Sequence, residues 1–185
     1  KALWPTGGWF DYLNMRTNGY EFHMDLTAGK VPYTDKRVQA VFDKWDDLTK
    51  PGYFLANHAS YQWQEALPAF VKGEAAMYLM GNFAVAPMKE AGLTEAQLGF
   101  MQFPEITAGV PKAEDAPTDT IHITKGAKNK ADARKFLEFA AKPENVAKLA
   151  KGMGSLPTNV KAPPPTDALE KTSFDILSGA AGGVA

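Results

Sequence analysis

Residues 70–83 read FVKGEAAMYLMGNF, and the fold class turns on how this stretch is interpreted. Phe70 and Val71 close an apolar helical pattern, and Lys72 and Gly73 make a turn. Ala75, Ala76, Met77, Tyr78, Leu79 and Met80 then form an unbroken apolar run between Gly73 and Gly81. Such a run predicts a strand buried on both faces, the kind found in α/β domains. Gly81 permits a tight backbone path, and Asn82 is placed to N-cap a helix over 84–90, with Pro87 close to its first turn. Phe83 then stands at a strand's C-terminal end and a helix's N-terminus, the edge at which open α/β sheets bind ligands. Read from this segment alone, Phe83 is either a ligand platform or a plug for the core beneath the helix.

Upstream, Trp4, Pro5, Thr6, Gly7, Gly8 and Trp9 read as a loop with two large aromatics flanking a Gly-Gly hinge. It leads into a short helical pattern through Trp9, Phe10, Leu13 and Arg16 that Asn18 and Gly19 stop. Trp4 and Trp9 are candidate contacts, or seals of the first helix against the core. Thr34 is placed to cap a helix over 35–49 whose apolar face is Val38, Val41, Phe42, Trp45 and Leu48. Ser60 is placed to cap the next, with Tyr61, Trp63, Ala66, Leu67, Phe70 and Val71 as its apolar positions, and Pro68 predicts a kink or break. Downstream, 98–103 reads as a second strand, 104–118 as a loop, and 120–124 as a third strand. Helices follow over 130–141, 144–151 and 168–177, with a stiff Pro connector at 163–165. About three strands against six or more helices imply a sheet too small for a complete doubly wound domain.

Composition narrows the chemistry. The 185 residues are 45% hydrophobic and 22% charged, with a formal net charge of -1. That balance offers no broad basic field for nucleic acid, and no apolar stretch reaches the ~18 residues of a membrane helix. Cysteine is absent, which excludes disulfides, thiol nucleophiles and zinc-thiolate sites. His23, His58 and His122 lie outside any metal-ligand spacing, so neither metal nor cofactor is expected. Of the three, His122, between Ile121 and Ile123, is the one placed to face a cleft. Asp46 and Asp47 diverge by about 100 degrees on a helix and read as a solvated face. A glycosidase pair has to come from distant segments, such as Asp119 with Glu65. No nucleophile elbow or phosphate loop is present. No catalytic residue can therefore be named, and an enzyme is not expected. Four Trp, six Tyr and eleven Phe favour binding of flat apolar faces such as sugar rings.

Taken together, the FVKGEAAMYLMGNF block, a strand closed by Pro104, DTIHITKGAKNKADARKFLEFAAKPENVAKLA and then GMGSLPTNV resemble a known family. The chain looks like the C-terminal lobe of the family 1 extracellular solute-binding proteins of ABC importers, the group containing the maltose-binding protein. The likeness runs over nearly the whole chain, while the chain does not cover the family's two-lobe fold. It implies that 1–185 is the C-terminal-lobe region of a longer protein, a fragment without the first lobe and the final helices. The implied fold class is α/β, a type II periplasmic-binding-protein-like lobe with a small mixed sheet of about three strands and many helices. The implied location is periplasmic or extracytoplasmic, with a lipid anchor possible in the family. The implied partners are a small-molecule solute of the carbohydrate class, the missing N-terminal lobe and the transmembrane subunits of an ABC permease, with no nucleic acid. By the same resemblance the sugar-stacking aromatic maps onto Phe83 beside Asn82, the cleft loop onto Thr118 and Asp119, and a further aromatic onto Trp9 and Trp4. The family often carries Trp where Phe83 stands. A non-sugar solute such as a polyamine or osmolyte is the alternative ligand, since aromatic boxes also hold cations. A carbohydrate-active enzyme and an interaction domain without a ligand are the readings from other classes.

Overall fold

Pro5 sits in the first turn of a helix, where its missing N–H costs nothing, and helix α1 runs from Trp4 to Asn18 in the computed structural model, which describes residues 3–184. Lys1, Ala2 and Ala185, the ends of the expected domain, lie outside the described residues. Gly7 and Gly8 are thus helical and not a hinge, a correction with a packing cause. Leu13, Asn14, Met15 and Arg16 are buried one to two turns later, and that anchorage outweighs the roughly 1 kcal/mol per residue that helical glycine costs.

Gly19, at φ +90°, redirects the chain into helix α2, Tyr20–Thr27, where the sequence suggested only a stop. Helix α3, Lys36–Thr49, is capped by Asp35 rather than Thr34, because the Asp35 carboxylate accepts from the Arg37 N–H. Val38 and Val41 are buried, whereas Phe42 of the same stripe is 46% exposed and stacks on Trp45. Phe22, Leu26 and Val38 form one core cluster, with Phe10 and Val31 against it.

A second cluster centres on Leu67, Ala84 and Met88. It is built by helix α4, Trp63–Val71, and helix α5, Val85–Glu90. Helix α4 starts after Gln62, whose N–H donates to Glu65, and passes Pro68 without a break. Tyr78, Met80 and Leu98 pack on this cluster from the intervening segments.

No ladder joins the three predicted strands among the described residues, so the expected three-stranded sheet is corrected. Residues 77–80 pair with no other backbone as a strand; Tyr78 and Met80 pack on the second core cluster and Met77 is 75% exposed. Residues 98–103 run irregularly, and in 120–124 Ile121 is 56% exposed and His122 lies at the surface. An apolar run reports burial, but a strand needs a neighbouring backbone at bonding distance.

The sheet forms elsewhere, from a segment read as a loop and from residues beyond the last expected helix. Strand β1, Glu114–Asp115, pairs in parallel with strand β2, Gly183–Val184. Glu114 and Ala116 N–H groups donate to Gly182 and Val184 carbonyls at 2.9 and 2.8 Å. Its crossover carries helices α6 (Lys130–Ala140), α7 (Pro143–Met153) and α8 (Ala168–Ser178), as a parallel pair requires. No helix among the described residues is long and apolar enough to cross a membrane.

Candidate functional site

The Gly-Asn-aromatic elbow is held from both sides. Gly81 leaves the space that the Phe83 ring occupies, since a Cβ there would overlap the ring unless it moved. The ring folds back over it, meeting Trp63 edge-on at 5.3 Å and Trp4 at 6.2 Å. Asn82 is not a helix cap, as its amide donates instead to the Gly154 carbonyl at 3.3 Å. Gly154, in the left-handed conformation that ends α7 (φ +63°), packs against the Phe83 backbone. The elbow and the GMGSLP loop, 72 residues apart in sequence, are thereby one structural unit.

Phe83 is only partly buried, and Trp4 is 53% exposed, so these aromatics keep open surface while resting on the second core cluster. Trp63, assigned from periodicity to a core face, is the member of this trio that sequence reasoning missed. Its i, i+4 relation to Leu67 made it look purely structural. A depression of about 70 Å³ beside the elbow, lined by Asn82, Val85, Ala86, Lys89, Gly154 and Glu170, is smaller than an ordinary ligand pocket. A larger one of about 330 Å³ lies at the α4 end, between Phe70, Lys72, Ala75, Leu93 and Gln97, and contains none of the expected contacts.

Trp9 belongs to a different group. Its ring meets Phe54 at 5.2 Å and Phe103 at 5.9 Å, and Phe103 stacks on Tyr12. Thr118 and Asp119 are exposed on the irregular segment after β1, and no hydrogen bond or ion pair joins them to the Phe83 cluster among the described residues. The structure therefore brings together Phe83, Asn82 and Trp4, while Trp9, Thr118 and Asp119 stand apart from them.

Beneath β1 lies a saturated polar network. Glu114 accepts from the Arg16 guanidinium at 2.8 Å, the Tyr12 hydroxyl at 2.9 Å and the Gln102 amide at 2.7 Å. Arg16 also donates to the Phe103 and Ala113 carbonyls. Burial first, and then the Glu114 charge, push the Tyr12 phenol well above its ordinary range. Both Glu114 oxygens are occupied, so this carboxylate docks α1 on the sheet rather than serving as a free acid or base. Glu65 is likewise engaged, as the acceptor that caps α4. No His, Asp and Glu cluster among the described residues is arranged to hold a metal ion.

A family model described as bacterial extracellular solute-binding protein matches residues 2–173. An uncharacterized ABC transporter extracellular-binding protein of Pyrococcus horikoshii is 29% identical over 179 residues, covering 95% of this chain and 38% of that protein. A second such protein of the same organism is 25% identical over 131 residues, 66% of this chain and 30% of its own length. Among solved structures, the solute receptor AcbH, whose description assigns it an exclusive preference for β-D-galactopyranose, matches with a TM-score of 0.84 at 30% identity. The match covers 95% of this chain and 45% of that receptor. A chitin oligosaccharide binding protein matches with a TM-score of 0.79 at 20% identity, over 97% of this chain and 46% of its own, a likeness of fold. The chain thus spans less than half the length of each of these four proteins.

Proposed function

Because the chain belongs to the bacterial extracellular solute-binding protein family, we propose that it is the C-terminal-lobe region of the receptor of an ABC importer. In that reading it works outside the cytoplasm, captures a carbohydrate between lobes and hands it to a membrane permease. The observation that carries the sugar assignment is the partly open Phe83 ring, braced by Trp4 and Trp63. A sugar's C–H face stacks on such a ring, and its hydroxyls turn to polar groups around it. The likeness to AcbH at 30% identity supports the same ligand class. Asp119, placed at the cleft by resemblance, supplies a charge-assisted acceptor once a second lobe closes over it.

Calorimetric titration of the full-length protein tests this reading against a panel of mono- and oligosaccharides, with putrescine and betaine as the cationic alternatives. Phe83→Ala and Asp119→Ala are each expected to weaken sugar binding by about tenfold or more. Unchanged affinity in both overturns the site, and binding of the cations alone overturns the ligand class.

A further inference from the structure

Ala75 to Met80 has the composition of a strand buried on both faces, yet it has no neighbour to pair with. Among the described residues, no backbone N–H or carbonyl from Ala75 to Met80 takes part in a hydrogen bond. The same holds for Gly99 to Gln102 and for Thr120 to Ile123. The first of these runs is nevertheless pinned in place. Tyr78 and Met80 pack on the second core cluster, and the Tyr78 hydroxyl donates to the Trp63 carbonyl at 2.7 Å. Each run also leaves a long apolar side chain in solvent, at Met77, Met101 and Ile121. Backbone donors and acceptors held in position without partners are what a sheet edge offers to another strand.

The depression of about 330 Å³ at the α4 end adjoins the start of the first run, with Ala75, Ala76, Phe70, Val71 and Leu93 among its lining residues. Ala75 and Ala76 are small enough to let a second backbone approach, and Phe70, Val71 and Leu93 offer apolar surface to its side chains. A small polar solute would find little there. Lys72 supplies one ammonium, and the Gln97 side-chain oxygen already accepts from the Thr94 N–H and hydroxyl. Ligand pockets instead converge several polar groups on one place.

The kind of strand that fits follows from the sequence of the edge. Runs that are apolar on both faces belong to the interior of parallel sheets, so the missing neighbour is a short strand rich in Val, Ile or Leu, parallel to residues 77–80. We infer that the face from Ala75 and Ala76 along Met77 to Met80 is a strand-accepting edge, filled by backbone pairing with a strand from the part of the full-length polypeptide that this chain does not span. The inference rests on the reading of the chain as one lobe region of a longer receptor, and it names where the rest of that receptor enters the lobe. Length favours a strand of the same polypeptide. The chain covers 38% of one Pyrococcus horikoshii relative and 45% of AcbH, so a receptor of that size carries more than half of its backbone elsewhere, tethered at high effective concentration. A second copy would bring only the same runs, without the tether.

The test is amide hydrogen exchange on the full-length protein, at a concentration where light scattering shows monomers. The amides of Met77 to Met80 are expected to exchange at least about 100-fold more slowly than unstructured chain of the same sequence. Through-hydrogen-bond NMR couplings should lead from these amides to carbonyls outside the 185 residues. Fast exchange overturns the edge, and so do couplings to carbonyls within the 185 residues. Protection that appears only as the protein dimerises also overturns it and assigns the edge to a second copy. Sugar titration of the same sample keeps the two readings apart. Sugar binding with fast exchange leaves the receptor standing without the edge, whereas slow exchange with outside couplings and no sugar binding upholds the edge and overturns the ligand class.

Discussion

Gly81 shows how one missing methyl shapes the candidate site. Its backbone is ordinary extended chain, at φ -69°, so conformation does not require glycine there. Space does, because the Phe83 ring occupies the place where a Cβ would stand. Gly81→Ala is expected to displace the ring from Trp63 and to cost about 1 to 3 kcal/mol of stability by overpacking. Chemical unfolding followed by Trp fluorescence reads both effects, and an unchanged midpoint with unchanged emission would refute the assignment. Phe83 itself was legible in the sequence as either plug or platform, and the structure makes the two compatible. One side of the residue rests on Leu67, Ala84 and Met88 while the ring stays partly open.

At the scale of elements, α1 is docked on the β1–β2 pair by the Arg16–Glu114 ion pair, whose side chains are 1% and 8% exposed. Removing one partner strands the other charge in a dry place. Arg16→Met is therefore expected to destabilise by about 3 to 5 kcal/mol, and the double change Arg16→Met with Glu114→Leu by clearly less than the sum of the two single changes. Urea unfolding of the three variants checks this, and simple additivity would show that the pair is not coupled. A second tie joins α5 to α8 through Lys89, which bonds both Glu95 and the α8 cap Asp167 at 2.7 and 2.8 Å. Helices α3, α6, α7 and α8 were legible nearly to their ends, because apolar residues recur along them at helical spacing and, for α7, Pro143 marks the start. Helix α2 was missed because its eight residues YEFHMDLT are too few to show a period. The strands were missed because Glu114–Asp115 and Gly183–Val184 carry no apolar signal.

For the whole molecule, the chain covers 45% of the AcbH structure it resembles, and its own folding leaves apolar helix faces open. Phe136 and Phe139 on α6 are 58% and 57% exposed, and Leu149 and Met153 on α7 are 49% and 50% exposed. On the proposal that a second lobe completes the cleft, the isolated 185-residue chain is expected to bind sugar at least about 100-fold more weakly than the full-length protein. Calorimetry on both checks this, and nanomolar binding by the isolated chain would contradict it. Sequence alone determined the helix-rich α/β class, the likeness to solute-binding receptors and the importance of the 70–83 block. Those depend on local period, turn chemistry and motif order, all written along the chain. Which backbones pair into a sheet, which aromatic joins Phe83 and that the glycine pair lies within α1 were decided only by tertiary structure. Each of those depends on residues far apart in sequence, such as Asn82 and Gly154 or Gly8 and Asp115, being packed side by side.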